Sequence, residues 1–197
     1  MCKNCELKPV YQFTNKRKLC KNCFVNYFNK KFLYTIRKFD LIPRGETVAV
    51  KESLDFRSVV LKELLEMFAR KSLVKVIKFS KGKKFDYLAV PNSTDLNSFF
   101  FISSLFENKI NLNSLQPKSK NIIMPLYLFL DKEIFLYAKI KGLKFKDSDK
   151  MKLSRDLFNS YLVLDKKKSI LEEFLFELER NHPEINQSII KSYLEII

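Results

Sequence analysis

Apolar positions along the chain follow two periods. Val48, Ala49 and Val50 form a short continuous run, as a buried parallel strand does. From Leu54 onward, Leu54, Val59, Val60, Leu61, Leu64 and Leu65 fall at helical spacing. The segments "SLVKVIKFS" (72–80) and "KFDYLAVPN" (84–92) predict two further strands joined through "KGKK" as a hairpin. "STDLNSFFFISSLFENKI" (93–110) predicts a helix with Ser93 or Thr94 as N-cap and Asp95 in its first turn. A polar linker covers 111–121, and an extended segment broken at Pro125 follows it. "DKEIFLYAKIKG" then predicts a helix capped by Asp131 and ended by Gly142. Residues 143–156 read as a polar loop, and two helices divided at His182 and Pro183 close the chain. Strands alternating with helices imply an α/β class.

The first 23 residues add a different element. Cys2, Cys5, Cys20 and Cys23 form two C-x2-C pairs, and they are the chain's only cysteines. Two such knuckles can place four thiolates on one zinc ion with no open position, which makes the metal structural. Two disulfides or an iron–sulfur cluster would use the same residues. Between the pairs, "KPVYQFTNKRKL" alternates around an Asn-Lys turn, as a small hairpin does. After Cys23, the residues Phe24, Tyr27, Phe28, Phe32 and Ile36 keep helical spacing. These aromatic residues read as core, with base stacking as the other use of the same side chains.

Charge sharpens the picture. The chain carries 37 Lys plus Arg against 22 Asp plus Glu, a formal +15. Residues 1–50 hold 11 basic and 3 acidic side chains, whereas residues 165–197 hold 5 and 7. Such an asymmetry points to a polyanion at the N-terminal half, nucleic acid first. Lys16, Arg17, Lys18, Lys21, Lys30, Lys31, Arg37 and Lys38 are the candidate phosphate contacts. No apolar run is long enough to cross a bilayer, and the N-terminus does not read as a signal peptide, so a soluble cytoplasmic protein is expected. The lone histidine, His182, sits at a helix end, and no catalytic constellation emerges.

The order of these pieces resembles the cytosolic tRNA 2-thiolation proteins, which are PP-loop (N-type) ATP pyrophosphatases. The resemblance rests on the CxxC…CxxCF finger, "TIRKFDLIPRGETVAV", "VPNSTDLNSFFFISSLFENKI", "MPLYLFLDKEIFLYAKIKGLKF" and "EEFLFELERNHPEINQSIIKSYLEI". It implies a four-cysteine zinc finger (1–25), a basic linking helix (26–44) and a truncated PP-loop parallel-sheet domain (45–197). In active members the "VAV" strand runs into Ser-Gly-Gly-Lys-Asp-Ser, which binds ATP phosphates. Here that motif falls on Lys51, Glu52, Ser53, Leu54, Asp55 and Phe56, and only the aspartate survives. Asp95 stands where the family has an acidic pair, and the family's central CxxC and "CPYS"-like cysteines, which transfer sulfur or hold an iron–sulfur cluster, have no counterpart.

Glu52 and the bulky Leu54 and Phe56 are expected to bring charge and side chains to where phosphate needs close backbone approach. The resemblance therefore implies a vestigial loop of Lys51, Glu52, Ser53, Asp55 and Asp95, no bound ATP and no enzymatic activity of its own. It implies a tRNA-binding subunit that pairs with a catalytic PP-loop paralogue. A diverged but active ATP-dependent thiolase and a stand-alone zinc-finger RNA-binding protein are the alternatives.

Overall fold

The computed structural model describes residues 1–106, 115–146 and 167–196. The C-terminal end of the predicted 93–110 helix, the start of the 111–121 linker and most of the 143–156 loop lie outside the described residues. Chain order is β1 (Tyr11–Gln12), β2 (Lys18–Leu19), α1 (Lys21–Lys38), β3 (Thr47–Val50), α2 (Phe56–Ala69), β4 (Lys75–Lys78), β5 (Tyr87–Ala89), α3 (Thr94–Phe106), β6 (Lys118–Ser119), β7 (Ile122–Ile123), α4 (Asp131–Lys141), α5 (Lys167–Asn181) and α6 (Ile185–Ile196).

Strands β1 and β2 pair antiparallel as the expected hairpin. Its turn bends at Lys16, which takes φ +62, and the Arg17 N–H donates to Asn15 Oδ1. The main sheet has the order β4-β3-β5-β7-β6. The pairs β3–β4, β3–β5 and β5–β7 are parallel, and β6–β7 is antiparallel. An α/β chain with a parallel sheet is thus present.

The hairpin expected around "KGKK" does not form. Gly82, at φ +91, does make the turn, and the Lys83 N–H donates to Ser80 O. Its flanking strands, however, bond to opposite edges of β3 rather than to each other. The apolar β3 strand, with Val48 and Ala49 fully buried, offers both edges to parallel partners. The 111–121 linker likewise contains a strand, since Lys118–Ser119 pair with Ile122–Ile123 across a turn at Lys120.

The largest core lies against α1, α2 and α4. Phe24, Phe28, Phe32 and Ile36 of α1 join Val60, Leu61, Leu64 and Leu65 of α2, Ile134 and Tyr137 of α4, and Val48 and Val50 of β3. Ala49, on the other side of the pleat, stays out of that cluster. The aromatic stripe of α1 is therefore core: Phe28 stacks on Tyr137 with centroids 4.2 Å apart. Helix α3 packs instead on α5 and α6, through Phe99 with Leu175 and Phe101 with Tyr193. Ser93 is its N-cap, accepting from the Leu96 N–H. Gly142, at φ +65, ends α4 as expected.

The cap at the other end of α4 differs from expectation. Leu130 is the N-cap residue, and its N–H donates to Glu133 Oε2 at 3.0 Å. Asp131 turns away to an arginine described below. The buried Glu133 also receives Lys31 Nζ at 2.6 Å and the hydroxyls of Tyr11 and Tyr27, each at 3.4 Å. One carboxylate thus joins the hairpin, α1 and α4. Helix α1 starts at Lys21, so it runs through the 25/26 division.

Removing this carboxylate strands a buried ammonium. Glu133→Ala is expected to cost about 3–5 kcal/mol in urea unfolding. Glu133→Gln, which keeps the hydrogen-bonding shape, should cost less, and equal losses would mean that the charge is unimportant.

Candidate functional site

The four cysteine sulfurs converge. All Sγ atoms lie within 4.8 Å of one another, with Cys5 to Cys20 at 3.3 Å and Cys5 to Cys23 at 3.6 Å. Around a single tetrahedral zinc with bonds of about 2.3 Å, sulfurs sit about 3.8 Å apart, so the cage fits one ion. In a four-iron cluster each thiolate would bind a separate corner of a cube, which spreads the sulfurs more widely. The local chain explains the convergence. The Cys2 N–H donates to Leu7 O and the Glu6 N–H to Cys2 O, with Glu6 in the left-handed region at φ +61, which turns the first knuckle tightly. Cys20 is the N-cap of α1 and Cys23 lies in its first turn, where the helix dipole favours thiolate.

Burial resists ionisation of Cys2, yet the N–H groups of Asn4 and Cys20 draw its thiol down to about 6. Hydrogen bonds with Cys5 and Cys20 push the Cys23 thiol up to about 12. The Cys20 thiol is also lowered, by the Cys23 N–H first, whereas Cys5 is raised, so ionising the full set needs a cation among them.

The candidate phosphate contacts divide into two groups. Lys16, Lys18, Lys21, Lys30, Arg37 and Lys38 are exposed. Lys31 is instead turned inward onto Glu133, only 14% exposed, and lies 4.9 Å from the Phe129 ring. Arg17 is half-buried, its guanidinium 4.2 Å from the Phe13 ring and 5.6 Å from Tyr27. Arg17 braces the hairpin against α1, and Lys31 ties α1 to α4.

A second candidate region lies at the C-terminal end of the sheet. Strand β3 continues through α2 to β4 on one side and has β5 on the other, so the crevice between the ends of β3 and β5 is the switch point where open α/β sheets bind ligands. The turn 51–55 and the start of α3 border it. Glu52 does not project into this turn as expected. It points outward to Lys62 and Lys78, at 2.6 Å from each ammonium. Phe56 also departs from expectation, since it is buried against Phe135 and Phe145, while Leu54 is exposed. Lys51 and Ser53 are exposed.

What meets the first turn of α2 is Asp55. Its carboxylate accepts from the Arg57 and Ser58 N–H groups at 3.1 and 3.2 Å, which makes it the N-cap. The Arg57 guanidinium, 1% exposed, binds Asp131 through Nε at 2.7 Å and through Nη2, and it reaches Asp55 at 3.4 Å. Burial opposes its charge, but Asp131 and Asp55 more than offset that and raise its pKa. Asp95 accepts from the Asp131 N–H at 2.5 Å and from Asn186 Nδ2 at 2.6 Å. Burial, reinforced by the Asp131 charge, lifts Asp95 to about 7. Asp55, Arg57, Asp95, Asp131 and Asn186 thus form one buried polar network. Arg57, Asp131, Glu133 and Asn186 were not anticipated from sequence, because their roles depend on partners 36 to 102 residues away.

No family model matches the chain, and no curated protein matches it. Among solved structures, the U34-tRNA thiolase NcsA from Methanococcus maripaludis with its 4Fe-4S cluster superposes over 99% of this chain and 86% of that one, with a TM-score of 0.72 and 18% identity. The chain has the fold of that thiolase. The expectation of a non-enzyme is overturned by this likeness, since the neighbour that shares the fold is an enzyme. The physical reason is that missing glycines at 51–56 change how the turn can approach phosphate and do not by themselves exclude catalysis. Among the described residues no helix is long and apolar enough to cross a membrane.

Proposed function

We propose that the chain serves tRNA wobble-uridine 2-thiolation, holding tRNA on the basic N-terminal half. The observation that carries this reading is the likeness to a U34-tRNA thiolase over 99% of the chain. The exposed Lys16, Lys18, Lys21, Lys30, Arg37 and Lys38 support it, since phosphates are met by mobile surface cations. All four cysteines stand in the finger, and we place a catalytic paralogue of the same fold beside the chain as its partner. The place for the nucleotide of the activation step is the switch-point crevice. There Asp55 holds the first-turn amides of α2, and a phosphate would reach them by displacing its carboxylate.

We assign the finger to zinc, because the sulfurs converge on one point and because the cluster cysteines implied by the family resemblance are missing from the chain. Elemental analysis of the purified protein should return one zinc per chain and no iron. A broad visible absorption band with iron in the preparation would reassign the finger to a cluster.

RNA binding has its own signature. Affinity for tRNA should fall steeply with salt, because each neutralised phosphate releases counterions. Replacing Lys16, Lys18 and Lys30 together by Ala should reduce the slope of log K against log salt by about 2. An unchanged slope would move the RNA site off this half, and absence of tRNA binding by the wild type would remove the reading.

A further inference from the structure

Helix α1 carries an outward stripe that the packing of the fold does not use. Its buried face is Phe24, Phe28, Phe32, Thr35 and Ile36. Lys30, Tyr34 and Lys38 recur at every fourth residue on the other side, with Arg37 one turn from Tyr34, and all four are exposed. Tyr34 is half exposed, although the other aromatic residues of this helix turn inward. Lys38 Nζ lies 5.8 Å from the Tyr34 ring, and the Arg37 Nε–H donates back to Leu33 O, which holds the guanidinium along the helix. Beside the stripe, a groove of about 260 Å³ is lined by Leu33, Ile36, Arg37, Asp40, Ile42 and Phe68.

We propose that Tyr34, flanked by Lys30, Arg37 and Lys38, is a stacking platform for an unpaired nucleotide of the bound RNA. An exposed ring gives a nucleobase a flat apolar surface, and cations on both sides along the helix meet the phosphates that precede and follow that base. The half-apolar groove next to it admits a base edge, with the Asp40 carboxylate able to accept from an exocyclic amine. Charge selects RNA over a protein partner, because residues 1–50 carry 11 basic and 3 acidic side chains. The inference rests on the tRNA reading and adds to it a preference for single-stranded over paired RNA.

The test titrates the full-length, metal-loaded protein with a stem-loop RNA and with a fully paired duplex of the same length, followed by fluorescence anisotropy. The wild type should bind the stem-loop about tenfold more tightly, the size of one base stacked on an aromatic ring. Tyr34→Ala should abolish that preference without changing the salt slope, and Tyr34→Phe should keep it. The joint substitution of Arg37 and Lys38 by Glu should weaken both RNAs. Tyr34 is exposed, and an unchanged melting temperature confirms that the variant is folded. If Tyr34→Ala retains the stem-loop preference, or if the wild type has none, the platform is wrong while RNA binding stands. Should the wild type bind neither RNA and instead capture an acidic protein, both the platform and the tRNA reading fall.

Discussion

The buried carboxylate of Glu133 is the point on which the two parts of this protein depend. It closes the N-terminus of α4, neutralises Lys31 of α1, and takes the hydroxyls of Tyr11 from the hairpin and Tyr27 from α1. Their own burial, reinforced by its charge, holds both phenols well above the ordinary tyrosine pKa, so they stay donors. A four-cysteine module of some twenty residues has too little apolar surface to hold an orientation by itself. Here the metal-binding cysteines and the sheet domain share one hydrophobic core, with Cys2, Leu19 and Cys20 in the same cluster as Val48 and Leu64. The basic residues of the hairpin and α1 are therefore presented at a fixed position relative to the crevice at the end of the sheet.

That crevice has its own internal order. Asp55 caps α2, Arg57 bridges Asp55 to Asp131, and Asp95 joins Asp131 to Asn186 on α6. Arg57 bonds two of the three carboxylates, and burial, with the Asp131 charge beside it, lifts the third, Asp95, to about 7. The network ties α2, α3, α4 and α6 together at the end of the sheet where ligands of this fold class bind. In the turn before α2, the first-turn amides are held by the Asp55 carboxylate.

Much of this was legible in the sequence where the physics is local. The C-x2-C spacing located the thiolate cage, the i, i+3, i+4 aromatic residues located the inner face of α1, Ser93 located a cap, and His182 and Pro183 marked the break between the last two helices. Long-range pairing was not legible. "KGKK" does make its turn, but nothing near Lys81 or Gly82 says that the strands on either side will pair with β3 instead of with each other. The same limit hid Arg57, which follows Asp55 by two residues yet finds its main partner 74 residues away. Lys31 looked like any surface lysine because Glu133 is 102 residues distant. Glu52 looked like an obstacle to phosphate because its partners, Lys62 and Lys78, lie on the next helix and strand.

The chain shares the fold of a U34-tRNA thiolase, and the role in tRNA thiolation proposed above rests on that likeness together with the cysteine cage and the exposed cations. The most direct measurement is the 2-thiouridine content of tRNA from cells lacking this protein, read by mass spectrometry against cells in which it is restored. A role in thiolation requires that 2-thiouridine be lost in the deletion and return on complementation, and an unchanged content in the deletion would rule that role out.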